Sequence, residues 1–203
     1  MWEIIQNGGP VMWPLLACSL ISLTVIIERA LFWISIERNR NRQLMDEILS
    51  IAEKGDWELI REKTSGCRDF VIRVLAVGIL HRKFSMTKAM EAEVETVLKQ
   101  MRKKMMVLDT IITVAPLLGI FGTVLGIIIS FKILGASAIA DPKAVTGGIA
   151  QALITTATGL GISIITLFPY NYFSSRIENA LHVMEKYATS LEVVYEKLNE
   201  EGK

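Results

Sequence analysis

The stretch APLLGIFGTVLGIIISF, Ala115 to Phe131, is apolar enough to lie in lipid, yet it gives up bulk repeatedly. It holds one proline, three glycines, a threonine and a serine, and no charge. On a helix, Gly119, Gly122, Thr123, Gly126 and Ser130 fall close to one face, at steps of three or four. Gly122 and Gly126 form a GxxxG step. Small faces let membrane helices approach closely, and hydroxyls bond to a neighbouring helix or back to their own backbone.

A second run, GIAQALITTATGLGISIIT, repeats the pattern. Gly148, Ala152, Thr155, Thr156, Gly159, Ser163 and Thr166 make its stripe. Gln151 is the most polar residue in either run, and an amide in lipid is costly unless paired. Two readings of the stripes stay open. They pack two spans tightly together, or the same faces line a narrow hydrated path.

Composition sets the frame. Of 203 residues, 51% are hydrophobic and 21% charged, and the mean hydropathy is +0.40. Those values fit a membrane protein whose apolar and charged residues are segregated along the chain. A net charge of +1 gives no field for nucleic acid. Two distant cysteines, Cys18 and Cys67, argue against a disulfide framework or a thiolate metal site. The first ten residues hold no Lys or Arg, so the first apolar run, Val11 to Ile27, is expected to be a retained anchor, not a signal peptide.

Three apolar runs predict three transmembrane helices, and Lys and Arg orient them. Residues 28–109 hold 16 of the 22 basic residues, the loop 132–146 two, and the tail four. The expected order is a periplasmic N-terminus and first span (1–36), a cytoplasmic helical segment (37–104), and a second span (105–133). A short periplasmic loop (134–145), a third span (146–172) and a C-terminal cytoplasmic helix (173–203) complete it. Leu44, Ile48 and Ile51 share a face, Gly55-Asp56 marks a break, and Ser85 is a candidate cap. Nothing local stops a helix between Ser85 and Pro116, so span two is expected to continue a long cytoplasmic helix. In the tail, Ile177, Met184, Leu191 and Leu198 recur every seven residues, with Ala180, Tyr187 and Val194 between. That seam fits packing on the chain's other helices or self-association about an axis. Span three and the tail read as one rod, with Pro169 a candidate bend.

The interiors of the three spans contain no Asp, Glu, Lys, Arg or His. Glu28 and Arg29 close span one as an expected interfacial pair. A proton relay needs a titrating group, so a proton path here would borrow one from another chain. His81 and His182 lie far apart with no nucleophile or metal pattern, and there is no phosphate-binding loop, so an enzyme is the least expected class.

The pair APLLGIFGTVLGIIISF and GIAQALITTATGLGI, followed by YNYF, resembles the proton-channel family of ExbB, TolQ and MotA, most closely its ExbB/TolQ branch. The resemblance implies an all-α integral membrane fold with three transmembrane helices and two long helices extending into the cytoplasm. It implies a homopentamer around a central pore in the bacterial inner membrane. A single-span ExbD- or TolR-like partner supplies the titrating aspartate, and proton motive force energises TonB, or TolA in the TolQ-like alternative. No cofactor is implied. By position, Thr123 and Thr156 match the family's pore-lining threonines, and Gln151 and Thr155 are expected to line the proton pathway with them. Gly119, Gly122, Gly126, Ser130, Ala152 and Gly159 are expected at helix-packing and partner-facing positions. Gln151 replaces a glutamate common in the family, and Pro169 stands in for a proline usually found near position 165. The competing readings are a small transporter or permease subunit, for which no internal repeat is visible, and a non-conducting structural adaptor.

Overall fold

Side-chain caps at Asn41, Asp56 and Asp69 set three of the helix starts. The computed structural model describes residues 9–136 and 142–201. The expected N-terminal segment before Gly9 and the middle of the 134–145 loop lie outside the described residues. Helix α1 is Met12–Arg38, α2 Arg42–Ala52, α3 Trp57–Thr64, α4 Phe70–Leu80, α5 Met86–Arg102, α6 Met105–Ala136 and α7 Pro142–Glu201. No strand occurs among the described residues. Three helices have the length and apolarity to cross a membrane: Met12–Arg38, Met105–Lys132 and the apolar part of Thr146–Glu200.

Asn41 caps α2 by accepting a hydrogen bond from the Leu44 N–H at 3.1 Å. Asp56 does the same for α3 through Leu59, also at 3.1 Å. The turn before it is made by Gly55 at φ +72°, a conformation glycine adopts without a Cβ penalty. Asp69, 2% exposed, joins two elements. One carboxylate oxygen accepts from Val71 N–H at 2.8 Å, and the other from Asn41 N–H at 2.9 Å. Ser85 occupies the cap position of α5, but its side chain makes no cap bond.

The residues divide into two compact units. One comprises Met1–Arg29 with Lys104–Tyr172, and the other Ala30–Lys103 with Phe173–Lys203. In the first, Met12, Leu15, Ile111 and Ala115 belong to a buried cluster, with Cys18, Leu118, Leu125 and Ile162 packed on it. Leu20, Ile27, Ile120, Phe121, Ile128, Leu153 and Ile164 stay exposed, as lipid-facing side chains do.

In the second unit, Met45, Ile48, Ile60, Ile72, Leu75 and Met101 are fully buried. The tail seam joins that core: Met184 and Leu191 are 0% exposed, with Ile177 and Ala180 also buried. Polar contacts fix its register. Tyr187 Oη donates to Asp46 at 2.7 Å, Tyr195 Oη donates to the Arg82 carbonyl at 2.8 Å, and Arg176 pairs with Glu37 at 2.5 Å. The hydrogen bond to Asp46 holds the Tyr187 phenol above its ordinary pKa. Ile177, Ala180, Met184 and Leu191 of the seam are thus buried within this unit, while Tyr187, Val194 and Leu198 stay half-buried. Helix α7 runs unbroken through Pro169.

One expectation fails. The helix beginning after Ser85 does not run into span two, because α5 ends at Arg102 and Lys104 adopts φ 66°. Left-handed backbone disfavours a residue with a Cβ, and lysine carries no local signal for it. The Lys104 side chain reaches back to the end of span one: its Nζ lies 3.6 Å from Glu28 Oε1, and Glu28 is held by Arg29.

Lys104→Val and Lys104→Gly both delete that ion pair, but only valine strains the left-handed residue. Valine is expected to be the less stable by about 1 to 3 kcal/mol, read by thermal unfolding in detergent. Equal stabilities would mean that the backbone at 104 relaxes without cost.

Candidate functional site

The two small-residue stripes face each other. Without a Cβ, Gly119 lets α7 come so near that an added methyl would sit 2.9 Å from Thr156 Cα and 3.0 Å from the Thr155 carbonyl. At Gly159 it would meet the Ala115 carbonyl oxygen and stand 3.2 Å from Gly119 Cα. At Gly126 it would be 2.8 Å from Ala152 Cβ. At Gly122 the space is filled by the Thr155 side chain, and at Gly148 by the Ser130 hydroxyl. Close packing accounts for every glycine in the two stripes, whereas Gly147 and Gly161, which lie outside them, have nothing within 4 Å.

Hydroxyls tie the pair across the gap. Thr156 Oγ1 donates to the Gly119 carbonyl at 2.9 Å, and Ser163 Oγ donates to the Ile112 carbonyl at 2.7 Å. Both donors and both acceptors are seven residues apart, so the two bonds are successive rungs of an antiparallel ladder. Thr155, 1% exposed, donates to Ala152 at 2.7 Å and reaches the Gly119 carbonyl at 3.4 Å. Ser163 belongs to the stripe read from sequence, and its seven-residue spacing from Thr156 puts it one rung further along the same face.

The expected site residues therefore occupy different environments. Gly119, Gly122, Gly126, Ser130, Ala152, Thr155 and Gly159 are buried between α6 and α7. Thr123 and Thr156 keep partial exposure. Thr123 Oγ1 donates to the Ile120 carbonyl of its own helix at 2.6 Å, and Ile120 is the residue next to Gly119, whose carbonyl holds Thr156. Gln151, half-buried, lies more than a turn from Thr156 towards the start of α7. Its amide occupies the place a Cβ would take on Gly9, which has φ +69°. Among the described residues, no hydrogen bond links Gln151 to either threonine.

Charge collects away from this ladder. Arg29, 3% exposed, donates through Nε and Nη2 to Glu28, both at 2.6 Å, a bidentate pair joined by Lys104. No group of His, Cys, Asp and Glu suited to a metal occurs among the described residues. The arrangement can hold two helices rigidly and offer hydroxyls at the edge of the interface, but it cannot itself take up a proton.

The glycine geometry gives a paired test. Gly159→Ala drives a methyl into fixed backbone and should cost about 1 to 3 kcal/mol. Gly161→Ala meets open space and should be neutral or stabilising by up to about 1 kcal/mol through helix propensity. Thermal unfolding of both variants in detergent would show the contrast, and equal effects would contradict the packing described.

The MotA/TolQ/ExbB proton channel family, as a sequence profile, matches residues 67–186. Over 200 residues the chain is 32% identical to a putative biopolymer transport protein, ExbB-like 3, of Synechocystis sp., covering 96% of this chain and 94% of that one. It is 28% identical over 203 residues to the Tol-Pal system protein TolQ of Pseudomonas aeruginosa, covering 88% and 84%. A shorter match, 35% over 83 residues, joins 41% of the chain to 56% of the biopolymer transport protein ExbB of Aquifex aeolicus.

Proposed function

Because this chain belongs to the MotA/TolQ/ExbB proton channel family, we propose that it is the multi-span subunit of a proton-driven motor of the ExbB/TolQ kind. The observation that carries the reading is a contrast. The spans pair tightly and leave hydroxyls of Thr123 and Thr156 partly exposed at the edge of the contact, yet their interiors hold no titratable side chain. The proton must then ride on a carboxylate brought by a second protein.

In this reading five copies surround a pore, and a single-span partner of ExbD or TolR type stands in it. Residues 1–36 supply the periplasmic end and first span, and 105–133 and 146–172 the second and third. Residues 37–104 and 173–203 lie in the cytoplasm, as the basic residues between spans one and two suggest. The partner's carboxylate, entering a low-dielectric site, needs donors when ionised and acceptors when protonated. A threonine hydroxyl serves both states by rotating. Gln151 donates and accepts without titrating, so it orients and does not relay. One charge crossing about 100 mV is worth about 2.3 kcal/mol, enough to drive a conformational step. The work energises a TonB-like periplasmic protein. The similarity to TolQ proteins supports a TolA-linked role as the second reading.

Native mass determination after co-purification with the partner tests the assembly: five copies with two single-span chains is the expected result. Thr156→Ala and Ser163→Ala each remove one rung and should each cost about 0.5 to 1.5 kcal/mol. Only Thr156→Ala should abolish energised uptake with assembly intact, and Thr156→Ser should restore it. Equal loss of uptake from both alanine variants would point to a structural adaptor.

A further inference from the structure

Unit two contains a cavity that the motor does not use. It has a volume of about 310 Å³ between α3 and α4. Its floor is Val77, Ile79 and Leu80, and Trp57 forms one wall. Arg61, Arg73 and Arg82 all line it. Three guanidiniums around an apolar cleft ask for a counterion, because like charges repel unless something anionic stands among them.

The protein's own contacts leave that demand open. Among the described residues, Arg61 makes no side-chain hydrogen bond or ion pair. Arg82 is held in place from behind: its guanidinium stacks 5.5 Å above the Trp57 ring, and Nη1 donates to the Ile79 carbonyl at 3.0 Å. Trp57 is in turn braced edge-on by Tyr195 at 5.7 Å. Arg73 gives Nε to Glu93 at 2.5 Å and keeps its two terminal nitrogens. Glu58 stands at the rim, Glu93 holds Arg73, and Asp56 and Glu62 line the adjoining cleft that shares Arg61.

We propose that this cleft binds a singly charged phosphate ester carrying a short apolar chain. Arginine forks match phosphate oxygens in geometry and donor number. The phosphate would take the donors that Arg61 and the terminal nitrogens of Arg73 leave open, and the chain would cover Val77 and Leu80, the latter 60% exposed. Trp57, Arg61 and Thr64 precede the segment matched by the family profile, so half of the cleft is built outside it. The ligand is either an anionic lipid headgroup or a soluble phosphodiester, and the two share this chemistry.

The full-length protein in nanodiscs of phosphatidylcholine would be titrated with dibutyl phosphate by calorimetry. Saturable one-to-one binding is expected, with at least a ten-fold loss in Arg61→Ala and in Arg82→Ala. Arg61 is exposed and unpaired, so its alanine variant should unfold at the parent's temperature, and that melt is the folding control. Inorganic phosphate and butanol should each bind at least ten-fold more weakly, because each lacks one half of the ligand. Repeating the titration in nanodiscs containing phosphatidylglycerol identifies the source. Competition there means that the lipid headgroup occupies the cleft, and unchanged affinity means a soluble ligand. Binding that is absent, or equal in Arg61→Ala and the parent, overturns the proposal.

Discussion

Everything in the membrane unit depends on the direct approach of two backbones, Gly119 against Thr156 and Gly159 against Ala115. Lipid supplies no hydrophobic drive for helix pairing, because its chains are as apolar as leucine. Attraction must come from dispersion and from hydrogen bonds, and both fall steeply with distance. Removing side chains from one stripe of each helix is what permits the approach. Once the gap is that narrow, hydroxyls on one helix can reach carbonyls on the other. The Thr156 and Ser163 rungs follow from the glycines.

Much of this was legible in the sequence because it is periodic. Stripes of Gly, Ala, Ser and Thr at steps of three and four define a face, and a face needs a neighbour. The seven-residue seam of the tail was equally plain, but periodicity alone does not name the surface that covers it. That surface is the chain's own second unit, fixed by contacts across more than a hundred residues, such as Tyr187 with Asp46 and Tyr195 with Arg82. The break at Lys104 was not legible at all. Two adjacent lysines carry no turn chemistry, and the partner that Lys104 pairs with, Glu28, lies some 76 positions away in sequence. The cover of Gln151 by Gly9 is another long-range contact with no local pattern.

The division between buried and exposed hydroxyls also orders the candidate site. Thr155 is consumed by packing, so its oxygen can serve only the helix pair. Thr123 spends its proton on its own backbone but keeps partial exposure and a free lone pair. Thr156 does both jobs, bracing Gly119 while remaining partly exposed. A residue with two duties gives ambiguous mutants. The Ser163 rung, equivalent in packing, separates the structural from the functional share.

Magnitudes decide which part of the pair would bear load in a motor. Hydrogen bonds between membrane helices average about 0.6 kcal/mol and reach about 1.7 at best. Two rungs at that average sum to about 1.2 kcal/mol, less than the roughly 2.3 kcal/mol that one proton gains across 100 mV, and a pair held by rungs alone would yield as work passed through it. Close-packed backbone does not yield in this way, because interiors of that density are barely compressible. On the proposed role, the glycines are the stiff element and the hydroxyls set register. A scaffold of this kind deforms little when a partner's carboxylate changes charge, so the energy of that change goes into moving the partner.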